Sequence, residues 1–381
     1  MNVLLICNSL MRGNGVRSAV LSLRSRLAGE GRDIRIMACE NDDTEDVQPD
    51  FPLRHFQIPL FEPILSSNGF RFAEIDEAVI KEAVAWADVV HIMEGFPLEA
   101  AVVKAADEMC RPCVGTYHTF SENITANLGL PEGGLLNRLI NLWWKTVVYD
   151  HCKSVQCPSQ TVKDYLLKHG YKSPLEVISN GVDMSGSSLG NEPEVKPFRI
   201  INIGRLSSEK LQLTLIEAVR YSRHASDIEL YFAGSGPKAK KVMREARKLY
   251  EDGVVRKAPS FGFYDSAHLK ELLRTAYLFI HCAKVEVEGL SCLEAISQGV
   301  VPVIADSVFS ASSQFALDER SLYPVSDPQK LAERIDWWIE HPEERGQMSL
   351  MYAESAKRYD ISDSLSKIIR MYERALGREA V

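Results

Sequence analysis

Residues 284–299 read KVEVEGLSCLEAISQG, and their reading decides the fold. An apolar run of strand length, 276–281 (AYLFIH), precedes them, and over 291–298 the apolar residues return at helical spacing. The stretch is therefore a strand-loop-helix junction. In a parallel sheet such junctions lie at the carboxyl edge, where the free N–H groups of a helix's first turn point outward and favour an anion. Glu286 falls in the loop, Gly289 and Leu290 at the turn into the helix, and Glu294 just inside it. On one reading the carboxylates accept hydrogen bonds from ligand hydroxyls while the amides hold phosphate. The plainer reading makes Ser291 and Glu294 a capping box, with Glu286 and Glu288 as solvated loop charges.

Upstream, the same unit repeats. A strand over 198–203 runs into Gly204-Arg205-Leu206-Ser207-Ser208-Glu209-Lys210 and then a helix. Arg205 and Lys210 flank this turn, and a planar guanidinium fork plus a mobile ammonium suits two adjacent phosphates. A strand over 228–233 enters Gly234-Ser235-Gly236-Pro237, a turn at which backbone can approach closely. A strand over 260–263 and a helix over 267–275 lead back to the opening stretch.

The first half alternates in the same way. A strand over 2–7 leads through NSLMRGNG, with Gly13 and Gly15, to a helix over 16–29 and a strand over 33–38. Strands over 88–92, 113–117, 154–157 and 175–178 follow, with helices over 97–108 and 160–169 between them. His118 closes Thr116-Tyr117-His118 at the carboxyl end of a strand, the ligand-binding edge of such sheets. Two stretches break the pattern. Residues 51–73 are rich in proline and large apolar groups without clean periodicity, and read either as a cap on the core or as an acceptor groove or membrane-docking edge. Residues 135–149 (LLNRLINLWWKTVVY) form a helix whose apolar side holds Trp143 and Trp144; it packs on the sheet or meets a lipid.

A chain of 381 residues with net charge −8 holds two or three domains and argues against nucleic-acid binding. No apolar run approaches the roughly 20 residues a membrane span needs. The start, MNVLLIC, reads as a first strand rather than a signal peptide, which places the protein in the cytoplasm. Eight cysteines are scattered, and CRPC at 110–113 leads into a strand where a thioredoxin-like site would open a helix. The acidic run at 41–46 reads as a solvated loop, not a metal site.

Taken in order, these pieces resemble the retaining glycosyltransferases of the glycosyltransferase B fold, sequence family four, among them bacterial enzymes that glycosylate diacylglycerol. The resemblance is carried by the Gly13/Gly15 loop, Thr116-Tyr117-His118, Val177-Ile178-Ser179-Asn180-Gly181-Val182-Asp183, Gly204-Arg205-Leu206 with Glu209-Lys210, Ala233 to Pro237, and the E-x7-E pair Glu286 and Glu294. It implies an α/β architecture of two Rossmann-like domains facing a cleft: 1–183 for the acceptor, a linker over 184–197, 198–360 for the donor, and a last helix within 361–381 returning to the first domain. By the same analogy Arg205 and Lys210 neutralise the diphosphate of a nucleotide sugar, with UDP-glucose or UDP-galactose expected. Gly15, Gly234, Gly236, Gly289 and Leu290 approach it, and Glu294 takes the ribose. Glu286 and His118 act at the donor sugar, and no metal or cofactor takes part. Three positions depart from the pattern: Leu211 where glycine is usual, Glu288 for an aromatic, and ADSVFSASSQF after 301–304, where Ser310, Ser312 and Ser313 stand in for a glycine pair. The expected acceptor is a membrane glycerolipid met at the inner face of the membrane. A soluble or polysaccharide acceptor, or a sugar-nucleotide-binding subunit without catalysis, are the alternatives.

Overall fold

The computed structural model describes residues 1–12, 14–29, 31–42, 46–59, 62–127, 129–187 and 196–378. Gly13, the middle of the acidic run and most of the expected linker lie outside the described residues. The chain forms two units, Met1–Asn180 with Ser362–Val381, and Gly181–Ile361.

The first unit runs β1 (Asn2–Ile6), α1 (Gly15–Leu27), β2 (Asp33–Cys39), β3 (Phe51–Leu53), β4 (His55–Phe56), α2 (Glu62–Ser67), β5 (Phe72–Ala73), α3 (Glu77–Trp86), β6 (Val89–Ile92), α4 (Pro97–Glu108), β7 (Cys113–Thr116), α5 (Ser121–Asn127), α6 (Leu135–Val147), β8 (Val155–Cys157), α7 (Gln160–Lys168) and β9 (Leu175–Val177). Its sheet has the order β3-β2-β1-β6-β7-β8-β9, parallel throughout. Helices cover both faces, so the strands are apolar almost without alternation, as in VLLI of β1. The order reverses between β1 and β6, which makes their carboxyl ends a switch point.

Residues 51–73 are not a bare apolar edge. Phe51, Leu53 and Ala73 are buried, β4 pairs antiparallel with β5, and Phe70 and Phe72 pack edge-on or tilted against Phe96 at 5.2 and 5.4 Å. Among the described residues of this stretch, Phe56 is the large apolar side chain that stays exposed. The capping reading holds for most of this stretch because the aromatics find one another.

The second unit runs β10 (Phe198–Ile203), α8 (Gln212–Tyr221), β11 (Ile228–Ala233), α9 (Ala239–Glu251), β12 (Ser260–Gly262), α10 (Ser266–Arg274), β13 (Leu278–His281), β14 (Val285–Glu286), α11 (Leu290–Ser297), β15 (Pro302–Asp306), β16 (Phe309–Ser310), β17 (Leu322–Pro324), α12 (Pro328–Glu340) and α13 (Pro342–Ala356). The sheet order is β12-β11-β10-β13-β15-β17, again parallel throughout, with the switch point between β10 and β13.

A last helix, α14 (Ile361–Ala375), gives Ile368, Met371 and Tyr372 to the core of the first unit. There the buried His91 of β6 is bonded on both sides. Tyr372 Oη lies 2.7 Å from Nδ1, and Nε2 lies 2.7 Å from Thr116 Oγ1. Thr116 donates onward to Gln156 Oε1 at 2.8 Å, and Gln156 donates to the Ile178 carbonyl at 2.9 Å. With the Thr116 proton committed to Gln156, His91 donates from Nε2 and accepts from Tyr372, so it is neutral. Burial, with His118 adding to it, pushes His91 down to about 3.

The turns after β10 and β11 lie backbone to backbone. Gly204 N–H donates to Ala233 O at 2.9 Å and Leu206 N–H to Ser235 O at 2.8 Å. A Cβ on Gly234, whose φ is +147°, would stand 2.1 Å from the Gly204 carbonyl oxygen. Replacing Gly234 with Ala is therefore expected to cost about 3 kcal/mol, from strained backbone plus overpacking. Gly253→Ala, with open space around it at φ +71°, should cost only about 1 kcal/mol. Denaturant unfolding of the two variants checks the difference.

Candidate functional site

The carboxyl end of β10 opens into the loop that carries Arg205 and Lys210, and β13 ends on His281. These ends meet at the switch point of the second sheet, where ligands of such sheets sit. The loop closes on Leu211 with φ +49°, a left-handed conformation costing a non-glycine residue about 1 kcal/mol. That is the position where the resemblance led glycine to be expected.

Arg205 Nη2 donates to Glu209 Oε1 at 2.8 Å, and Ser207 Oγ donates to the same oxygen at 2.7 Å. Gln212 holds the Arg205 carbonyl at 2.9 Å. Burial opposes charge on Glu209, but Arg205 and Lys210 outweigh it and hold the carboxyl below its usual range. The Glu209 carbonyl accepts the Lys284 N–H at 2.8 Å, which ties this loop to the stretch containing Glu286.

Lys210 Nζ donates to Glu286 Oε2 across 76 residues of sequence. His281 Nε2 lies 3.5 Å from that same oxygen and 3.4 Å from Ser312 Oγ. Burial works against ionising Glu286, yet Lys210 and His281 hold its carboxyl well below the ordinary range. Burial pushes His281 below its usual value, with Glu286 opposing.

The helix α11 starts one residue earlier than expected, with Gly289 at φ +96° as its N-cap. A Cβ there would stand 2.3 Å from Ser312 Oγ. Ser291 therefore lies within the helix, and the capping-box reading of Ser291 and Glu294 is overturned. Cys292 and Leu293 N–H bond back to the Gly289 carbonyl at 2.9 and 3.1 Å, which leaves the Leu290 and Ser291 amides at the helix mouth. The Glu294 carboxyl makes no cap, and burial raises it to about 7. A Cβ on Gly234 or Gly236 would run into the backbones of Gly204 and Leu206, the residues on either side of Arg205.

Within the first unit His118 follows β7, whose end is fixed by the Thr116 hydroxyl and by the buried Tyr117. Its Nε2 is buried without a partner, and burial lowers it to about 4. Gly15 is the first residue of α1, with nothing within 4 Å of a Cβ placed on it. At the switch point beside them stands a group the sequence did not reveal. Asn8 N–H donates to Glu94 Oε2 at 2.8 Å, and Asn8 Nδ2 to both oxygens of Glu99 at 2.8 and 2.9 Å. Burial pushes both carboxyls up, Glu94 to about 7.

The tryptophans of α6 separate. Trp144 is buried against Phe96 and Tyr117, so lipid contact by Trp144 is ruled out by packing. The helix turns Asn137, Asn141 and Trp144 inward, where both asparagines bond Ser121 Oγ at 3.1 and 2.9 Å. Leu135 at 73 %, Leu142 at 55 % and Trp143 at 37 % exposure face outward with Leu136 and Leu139. A polar stripe inside and an apolar stripe outside reverse the usual arrangement of a surface helix.

Sequence reading missed His281 as well as Glu94. The positional rule that singled out His118, a histidine closing a parallel strand, applies equally to His281. Cys110 is exposed and Cys113 buried, and both are free.

Residues 13–185 match the family described as Glycosyltransferase Family 4, and residues 190–353 match Glycosyl transferases group 1. The alpha-monoglucosyldiacylglycerol synthase of Streptococcus pneumoniae is 23 % identical over 312 residues, covering 77 % of this chain and 68 % of that protein. The crystal structure of HepE from Anabaena in complex with UDP-glucose is 15 % identical and superposes with a TM-score of 0.72, covering 98 % of this chain and 100 % of that one. The catalytic domain of cholesterol-alpha-glucosyltransferase from Helicobacter pylori is 47 % identical over 43 % of this chain and 99 % of that domain, with a TM-score of 0.40.

Proposed function

We propose, starting from the fact that this chain is a glycosyltransferase of the glycosyltransferase B fold resembling diacylglycerol glucosyltransferases, that it moves a hexose from a UDP-sugar to the hydroxyl of a membrane lipid with retention of configuration. One observation carries the donor half: Arg205, Lys210, Glu286 and the mouth of α11 converge on the switch point between β10 and β13. As the bond between the anomeric carbon and the diphosphate oxygen breaks, negative charge grows on the leaving group. Arg205, its fork aimed by buried Glu209, Lys210 and the Leu290 and Ser291 amides stabilise that charge. Glu286 accepts sugar hydroxyls, Glu294 the ribose, and His118 contacts the sugar near the reacting carbon. The acceptor oxygen bonds to the anomeric carbon on the face the diphosphate leaves, and its proton departs with the diphosphate. Two fixed cations supply the neutralisation, so turnover is expected to persist in EDTA.

The acceptor reading is supported by the lipid glycosylation named for the Streptococcus relative and by the outward apolar stripe of α6. Among the described residues no helix is long and apolar enough to cross a membrane. A helix lying in the interface at the inner face, with Leu135, Leu139, Leu142 and Trp143 in the acyl region and Arg138 and Lys145 toward headgroups, fits that stripe. Changing Leu139 and Leu142 together to Glu is expected to lower cosedimentation with phosphatidylcholine–phosphatidylglycerol vesicles at least tenfold. The melting temperature should move little, because both side chains face outward. No vesicle binding by the wild-type protein would remove the docking role.

The test of the function is transfer of label from UDP-[14C]glucose and UDP-[14C]galactose to detergent-dispersed diacylglycerol, and separately to cholesterol, with organic and aqueous label counted. Label in the organic phase supports the reading and identifies the lipid. Free sugar alone rejects both acceptors, and no turnover with either donor rejects the UDP-hexose assignment.

A further inference from the structure

The Lys210–Glu286 pair poses a problem for the donor reading. The two groups assigned to the diphosphate and to the sugar neutralise each other in the ligand-free chain. A diphosphate arriving beside Lys210 draws the ammonium toward itself, and Glu286 then loses the contact that orients it. Its carboxylate would be left partly buried and free to rotate, which is costly for binding and wrong for recognising a hydroxyl.

Resting on the donor reading above, we propose that His281 is the positioning residue that keeps Glu286 in register once Lys210 has turned to the diphosphate. Its ring is 3 % exposed, at the end of a strand paired on both sides, so it has little freedom to move. Its Nε2 faces the same carboxylate oxygen that Lys210 holds, at 3.5 Å. Both contacts of the Glu286 side chain are thus made through Oε2, and Oε1 takes no hydrogen bond among the described residues. Nδ1 is buried without a partner, so a proton there would be an unsatisfied buried donor; the neutral tautomer with the proton on Nε2 is the one this pocket favours. In the ligand-free chain that proton faces Ser312 Oγ at 3.4 Å and Oε2 at 3.5 Å; once Lys210 has turned away it is donated to Oε2, which leaves Oε1 for a hydroxyl of the donor sugar. Ser312, itself buried, stands 3.4 Å from the same Nε2 and is its hydrogen-bond partner while Lys210 holds Glu286.

The experiment compares binding of UDP and of UDP-glucose by calorimetry, together with kcat and KM, in His281→Phe and His281→Gln. Phe fills the space without a donor; Gln retains an N–H. His281→Phe is expected to weaken UDP-glucose about tenfold and to lower kcat, with UDP affinity unchanged within about twofold. His281→Gln should recover most of the loss. In a Glu286→Gln background the same His281→Phe change should add less than about a twofold loss, since both act through one contact. Equal weakening of UDP and UDP-glucose, or full additivity with Glu286→Gln, would overturn the proposal in favour of a packing role. Wild-type affinities in His281→Phe would overturn it outright while leaving the donor reading standing. A wild-type protein that binds UDP but not UDP-glucose would take the sugar assignment, and this proposal with it.

Discussion

Glu286→Gln is expected to lower kcat by about 10²- to 10³-fold, the range for losing one preorganised electrostatic contact to a transition state, while UDP binds as well as before or better. The opposite signs follow from the pairing with Lys210. In the free chain a nucleotide must compete with Glu286 for that ammonium. Gln keeps the shape and an acceptor oxygen but gives up the charge, so Lys210 is released to the diphosphate. The sugar, in contrast, loses a carboxylate that burial alone would neutralise and that Lys210 and His281 keep ionised. Single-turnover rates together with calorimetry against UDP separate the two effects. Parallel losses in turnover and UDP affinity would sink the assignment of Glu286 to the sugar.

Lys210→Ala is expected to weaken UDP by about 10- to 100-fold, the loss of one charge-assisted contact to phosphate. Unchanged affinity would end its role at the diphosphate. The same substitution leaves Glu286 with its burial and without its main counter-charge, so stability should fall by about 2 kcal/mol at neutral pH, less than for a fully buried pair because both side chains retain some exposure. The pH dependence has a definite sign. The folded-state pKa of Glu286 is depressed, so the pair's contribution is present above the ordinary carboxylate value and is lost as pH falls through the depressed one. The stability gap between wild type and Lys210→Ala should therefore be widest near neutrality and close on acidification. A gap that does not change with pH would point to lost packing of the lysine stem instead.

The alternation of strands and helices was legible because it is written in local periodicity and turn residues, and all-parallel strands bury both faces, which makes them uniformly apolar. The positions of Arg205, Lys210, Glu286 and His118 followed from a topological rule that needs only the strand ends. What stayed hidden depends on partners distant in sequence. Lys210 and Glu286 meet across 76 residues, and nothing near either announces the other. Glu94 carries no local signal, and its partner Asn8 lies 86 residues away. The capping box failed for a local reason: Gly289 takes the left-handed cap and starts the helix early, so Glu294 falls out of register. In α6 an apolar side holding both Trp143 and Trp144 was expected, but the helix turns Trp144 inward and Trp143 outward, and which side faced the protein could not be read. The asparagines fix that, because Ser121 and Tyr165 wait for them inside.

The bonding of His91 to Tyr372 also sets an order of events during synthesis. The second unit is one continuous stretch, Gly181–Ile361, so all of its residues have been made before the ribosome reaches the last helix. The first unit begins the chain yet lacks Ile368, Met371 and Tyr372 until the end, and without Tyr372 the buried Nδ1 of His91 has lost its partner. Domains fold as units when their residues are available. The half that is made first is thus the half that is finished last, and a chain broken off late in translation would carry a complete second unit and an unclosed first one.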